Sequence, residues 1–115
     1  MDHDERFDRM YAAFNARDAD AVLEFMGAEV EWPKAFEGGY VRGTDAIRDY
    51  WHRQWAEISP TVVPTSTSVL TDGRVDVEVN QVVRTLDGEL LDERIVHHVY
   101  TFDDDRIVRM DVVSA

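Results

Sequence analysis

Hydrophobic residues follow a helical period in the first half of the chain and a strand period in the second. Between residues 4 and 16, Phe7, Met10, Tyr11 and Phe14 recur at i, i+3, i+4 and i+7, which predicts an amphipathic helix. Asp18 is placed to cap a second, shorter helix carrying Val22, Leu23, Phe25 and Met26. The stretch AEVEWP (residues 28–33) alternates, with Val30 and Trp32 on one face and Glu29 and Glu31 on the other, and predicts a short strand closed by Pro33. KAFEGGYVRG (residues 34–43) holds three of the six glycines and reads as a loop. Thr44 then serves as N-cap of a third helix in which Ile47, Trp51, Trp55 and Ile58 share a face, and Pro60 stops it.

After Pro60 the period falls to 2. Residues 62–70, 74–86, 90–102 and 106–113 predict strands separated by TDG, DG and DDD, with Asp-Gly at 72–73 and 87–88 as hairpin signals. Helices first and strands after argue an α+β fold, three helices packed on one face of a strongly curved, mostly antiparallel sheet, in a single domain spanning residues 1–115. One position breaks the strand pattern. In VDVEVNQVV, Val75, Val77, Val79 and Val83 fall on one face, and Gln81 stands where another Val or Leu is expected. An unpartnered amide facing a core costs about 1–3 kcal/mol. Either something inside accepts its hydrogen bonds, or the inside is a cavity.

Composition narrows the partners. Twenty-four acidic against twelve basic residues give a net charge of −12, which repels phosphate backbones and anionic lipid surfaces and sets nucleic acid and membrane aside. The chain has no cysteine, so disulfides, thiolate nucleophiles and thiolate zinc sites are unavailable. The opening MDHDERFDRMY is acidic without an apolar run, and no long apolar stretch follows; a soluble cytoplasmic protein is the expectation. DDD at 103–105 lacks the spaced ligands of a calcium loop, and EGGYVRG lacks the Walker lysine. No metal and no cofactor are expected.

The order of elements, carried by NARDADAVLEFMGAEVEWP, then RGTDAIRDYW, then HHVYTFDDDRIVRMDVV, resembles the nuclear transport factor 2-like superfamily, which includes ketosteroid isomerase and SnoaL-like polyketide cyclases. The resemblance covers nearly the whole chain. It implies a cone-shaped sheet around a pocket whose mouth the helices shape, commonly in a dimer packed through the outer sheet face, here carrying Val82, Leu86, Ile95 and Val99. On that reading Gln81 faces the pocket. The isomerase's proton-shuttling Asp falls on Trp32, so the base is missing and true steroid isomerase activity is not expected. The isomerase's oxyanion donors, a Tyr and a protonated Asp, fall near Met10 and Tyr11 and on His98. The base of SnoaL-like cyclases matches Asp111 if a one-residue bulge is allowed, and a carboxylate of the similar limonene epoxide hydrolases falls about where Gln81 stands.

His97 and His98 point to opposite faces of one strand, and the pattern leaves open which is inward. The resemblance favours His98, with Arg94, Val96, Tyr100 and Phe102 beside it inside. A histidine there serves as acid, base or hydrogen-bond partner, or is simply a structural His satisfied by a neighbour such as Gln81. Asp111 lies opposite the apolar set Val108, Met110 and Val112, so its plain reading is an exposed or interfacial pair with Arg109. Trp32, Trp51, Trp55, Tyr11 and Phe14 read as core, and equally as an aromatic binding wall. The candidate catalytic residues are therefore His98 and Asp111. The candidate substrate-binding residues are Gln81, Trp32, Tyr11, Phe14, Trp51, Trp55, Arg94, Tyr100 and Met110. Two functions fit: a cofactor-free isomerase, cyclase or dehydratase on a small apolar or aromatic molecule, and a non-catalytic ligand-binding or accessory dimeric module.

Overall fold

The computed structural model describes residues 3–34 and 38–114. Among them the chain forms α1 (His3–Asn15), α2 (Ala19–Leu23), β1 (Met26–Pro33), β2 (Tyr40–Arg42), α3 (Thr44–Glu57), β3 (Ser59–Val69), β4 (Val75–Arg84), β5 (Leu90–Asp103) and β6 (Arg106–Ser114). The strands make one six-stranded sheet in the order β2-β1-β6-β5-β4-β3. All neighbours are antiparallel except β1 with β6. The α+β architecture read from the sequence is the observed one, a curved sheet with its helices on the concave face.

Local chemistry sets the helix ends. Asp18 caps α2, its Oδ1 accepting from the amide of Ala21 at 3.2 Å. The helix is shorter than the pattern suggests, because Met26 already opens β1 and is buried there. Thr44 is the first residue of α3 rather than its cap. Gly43 is the cap, at φ +92, a left-handed conformation that suits glycine, with its amide donating to Val30 at 2.8 Å. Ile58 has left the helix for an extended conformation, and Pro60 is buried inside β3. β3 is an edge strand, which tolerates the missing amides of Pro60 and Pro64. Part of the stretch read as a loop forms β2, three residues that pair with β1 from Glu31↔Arg42 to Pro33↔Tyr40. Three residues are too few to leave a periodic signal. Residues 35–37 of that stretch lie outside the described residues.

Bulges curve the sheet. The register skips Thr65 in β3, Leu91 in β5 and Val108 in β6. The last skip changes which side chains face in: Ile107 and Met110 are both buried, and Val108 is not. A strict alternation through Val108, Met110 and Val112 is thereby corrected to Ile107, Met110 and Val112. The turn after β5 places Asp104 and Asp105 at φ +51 and +66, the two-residue geometry that matches strand twist.

The core lies between the helices and the inner sheet face, with Phe7, Ile47, Val30, Val77, Val79, Tyr100 and Ile107 fully buried. The outer face differs from the expected patch. Val99 is already buried within one chain, Leu86 sits in the β4–β5 turn, and the exposed apolar side chains of the outer face are Val63, Ile95 and Val113. No described helix is long and apolar enough to cross a membrane.

Candidate functional site

Strand pairing decides which histidine faces in. His98 stands in the cross-strand row Val77, His98, Val112, and is 5 % exposed. His97 points out, its Nδ1 2.8 Å from Asp76 and its Nε2 3.7 Å from Glu78. On α1, Tyr11 lies one turn before Phe14, so both side chains look across at the sheet. The hydroxyl of Tyr11 meets Nδ1 of His98 at 2.8 Å and the hydroxyl of Tyr100 at 2.7 Å. The three polar groups form a chain inside the protein.

Proton counting orients that chain. Among the described residues the Tyr100 hydroxyl meets Tyr11 alone, so it must donate there to be satisfied. Tyr11 then donates its own proton to His98 Nδ1, and the imidazole carries its hydrogen on Nε2. Burial supports this neutral state: desolvation, with a smaller push from His97, lowers the His98 pKa from 6.5 to about 4. Burial likewise raises Tyr11 well above its ordinary value, and Tyr100 with it. None of the three carries charge near neutral pH.

His98 borders a cleft of about 60 Å³ lined also by Phe14, Trp32, Trp51, Gln81 and Met110. Tyr11 and Tyr100 border a second, adjoining space of about 30 Å³, walled also by Phe14, Trp32 and Val62. The aromatic wall is tightly set: Trp32 stands edge-on to Trp51 at 5.3 Å, and Phe14 stands edge-on to Trp51 at 5.6 Å. Trp55 supports this wall from behind, against Phe14, and does not border the cleft.

Gln81 occupies the apolar row and borders the cleft, yet it makes no direct hydrogen bond to His98 among the described residues. Gln81 sits opposite Arg94, whereas His98 sits opposite Val77, four residues away along β4. Tyr11 is the partner that satisfies His98. The amide and the imidazole share a cleft without sharing a hydrogen bond.

Two sequence candidates lie elsewhere. Arg94, opposite Gln81 across the strands, is exposed and pairs with Asp92 at 2.7 Å instead of bordering the cleft. Asp111 faces out, because the bulge at Val108 precedes Met110 and leaves the parity from Met110 onward unchanged. There it accepts from Arg109 at 3.0 Å and from the hydroxyl of Tyr40, while Arg109 lies 4.3 Å over the Tyr40 ring and 3.4 Å from Glu31. Arg109 holds the Asp111 carboxyl below its usual range, opposite to what a general base at neutral pH requires. This cluster fastens β2 to the sheet.

Sequence reading missed Pro33, Tyr50, Gln54, Pro60, Val62, Val83 and Val112 as cleft residues. Tyr50 and Gln54 are spaced i, i+4 on α3, with the Gln54 amide donating to the Tyr50 hydroxyl at 3.4 Å. That spacing was a legible signal. Among the described residues no cluster of His, Asp or Glu is placed to hold a metal ion.

TerC, co-crystallised with polyporic acid, superposes with a TM-score of 0.78 at 24% identity, over 93% of this chain and 86% of that one. An uncharacterised cystatin-fold protein from Novosphingobium aromaticivorans gives 0.80 at 21% identity, over 98% of both chains. A Mycobacterium tuberculosis protein in complex with estradiol-17beta-hemisuccinate gives 0.76 at 16% identity, over 90% of this chain and 86% of that one. At these identities the likeness is one of fold. None of the curated proteins matches the chain. The model of the SnoaL-like domain family matches residues 7–110, and the chain belongs to that family, within the nuclear transport factor 2-like superfamily.

Proposed function

We propose that this chain holds a small apolar or aromatic molecule and polarises the molecule's carbonyl or hydroxyl oxygen with the Nε2–H of His98. The observation that carries the reading is the buried chain Tyr100, Tyr11, His98, which spends Nδ1 on Tyr11 and leaves the other ring nitrogen to a cleft walled by aromatics. A neutral imidazole held in one tautomer is a preorganised donor that needs no rearrangement when an oxygen arrives. Gln81, on the same cleft, supplies a second polar contact. Co-crystallisation of TerC with polyporic acid and the estradiol-17beta-hemisuccinate complex of the Mycobacterium tuberculosis protein support a ligand-holding role for this fold.

As an enzyme the protein would be a cofactor-free isomerase, cyclase or dehydratase in which His98 is the electrophile. Trp32 and Gln81 cannot take a proton from carbon, and Asp111 is on the other face of the sheet. The supported chemistry is activation at oxygen. A non-catalytic binding or accessory module is the second reading, and the cleft's volume of about 60 Å³ favours its accessory form, in which the pocket is largely filled by its own side chains. Typical ligand sites run to roughly 300 Å³ or more, so an occupant beyond a few atoms must displace the aromatic wall.

The test is a titration with phenol, followed by the ¹⁵N resonances of His98. Binding should move Nε2 and leave Nδ1 nearly still, and His98→Phe should weaken binding about tenfold, the value of one lost buried hydrogen bond. Equal affinity in His98→Phe would refute the reading. Turnover of a cyclisable or isomerisable ketone separates enzyme from module. The same proposal includes a homodimer through the outer sheet face, where Val63, Ile95 and Val113 are 48%, 42% and 50% exposed. Light scattering at micromolar concentration decides it. A cytoplasmic location suits a chain without cysteine.

A further inference from the structure

The cleft beside His98 and the adjoining void beside Tyr11 and Tyr100 share three wall residues, Phe14, Trp32 and Val62. These three are the partition between the two spaces. They are not equally movable. Val62 is clamped at its backbone by Asn15, whose side-chain amide donates to the Val62 carbonyl at 2.8 Å and whose carbonyl accepts from the Val62 amide at 2.9 Å. Trp32 sits in a paired strand, opposite Val41, with its ring edge-on to Trp51 and 6.3 Å from the ring of Tyr100. Phe14 is half-buried on the last turn of α1 and meets Trp51 and Trp55 only edge to ring, at 5.6 and 5.3 Å. Its ring carries no hydrogen bond and no role in the Tyr100, Tyr11, His98 chain.

We infer that Phe14 is the specificity-determining residue of this site: its ring stands between the cleft and the adjoining apolar space and so limits the length of the molecule whose oxygen sits at His98. The choice of ligand head rests on the function proposed above; the partition itself does not. A one-ring molecule enters the cleft by displacing part of its aromatic wall and comes up against the Phe14 ring. A longer apolar tail must pass where that ring stands, and enters a void bordered by Met10, Val22 and the ring bodies of Tyr11 and Tyr100. Removing the ring joins the two spaces and adds the volume of the ring itself, without touching a polar atom of the site.

Two measurements on Phe14→Ala test this. In the first, phenol and 4-phenylphenol are titrated into wild type and variant by calorimetry. The wild type should favour phenol; in the variant the ratio of 4-phenylphenol to phenol affinity should rise about tenfold over its wild-type value, whatever phenol itself loses with the wall. An unchanged ratio would overturn the assignment. In the second, crystals are pressurised with xenon, which enters apolar cavities without needing a hydrogen bond. Continuous xenon density from cleft to void in the variant supports the partition, and two separated sites overturn it. If neither phenol binds wild type or variant while xenon density is continuous, the polarised-oxygen reading fails and the partition stands. Should Phe14→Ala not fold, Phe14→Leu carries the same expectations with a smaller gain.

Discussion

Replacing Tyr11 by Phe removes one oxygen and strands two buried groups. Tyr11 takes the proton of Tyr100 and gives its own to Nδ1 of His98, at 2.7 and 2.8 Å, and all three residues are at most 5 % exposed. The ring stays in place, so packing is nearly unchanged. Each buried polar group left without a partner costs about 1–3 kcal/mol, which sets the loss for Tyr11→Phe at roughly 2–6 kcal/mol. That is a large fraction of the stability of roughly 5–15 kcal/mol expected of a small domain. Tyr100→Phe is milder. It removes the outer donor and leaves Tyr11 still donating to His98, so about 1 kcal/mol is expected. The double variant strands only Nδ1 of His98 and should be more stable than the sum of the single losses implies. Urea unfolding of the four proteins at pH 7 reads these differences as midpoint shifts at constant m. The reasoning is refuted if Tyr100→Phe costs as much as Tyr11→Phe, or if the two losses simply add.

Three further outcomes are expected. His98 is held at a pKa of about 4 against 6.5, so the unfolded chain binds a proton that the native one does not; this contribution is intact above pH 6.5, declines as pH falls from 6.5 to 4, and amounts to about 3 kcal/mol. Urea midpoints at pH 7 and 4.5 should therefore separate more in wild type than in His98→Gln, and equal separations would remove His98 as the source. Gln81→Leu should keep or raise the thermal midpoint while weakening phenol binding, because the amide faces the cleft rather than a fixed partner; unchanged affinity on calorimetry would make it incidental. Asp111→Asn should cost less than about 1 kcal/mol and leave phenol affinity as it was, because Asp111 belongs to a partly exposed cluster on the far side of the sheet. A loss of binding in that variant would put the carboxylate back at the site.

Much of the fold was legible because its elements obey two simple periods. The 3.6-residue stripe of Phe7, Met10, Tyr11 and Phe14, and the alternation from Val75 through Val83, each expose one apolar face, and burying those faces against one another leaves few architectures. Gln81 on an apolar face already pointed to an interior with room for polarity. Periodicity is a local quantity, though, and it is blind to three things that the tertiary structure decided. Val96 and Tyr100 are as apolar as Ile95 and Val99, so only strand pairing could turn His98 inward and His97 toward Asp76. A bulge at Val108 is invisible in a run of alternating residues, and its position before Met110 is what keeps Asp111 outside. The partner of His98 was not its cross-strand neighbour but Tyr11, 87 residues earlier in the chain. Such a contact is fixed by the angle at which a helix crosses a curved sheet, and that angle is a property of the whole packed core rather than of any segment within it.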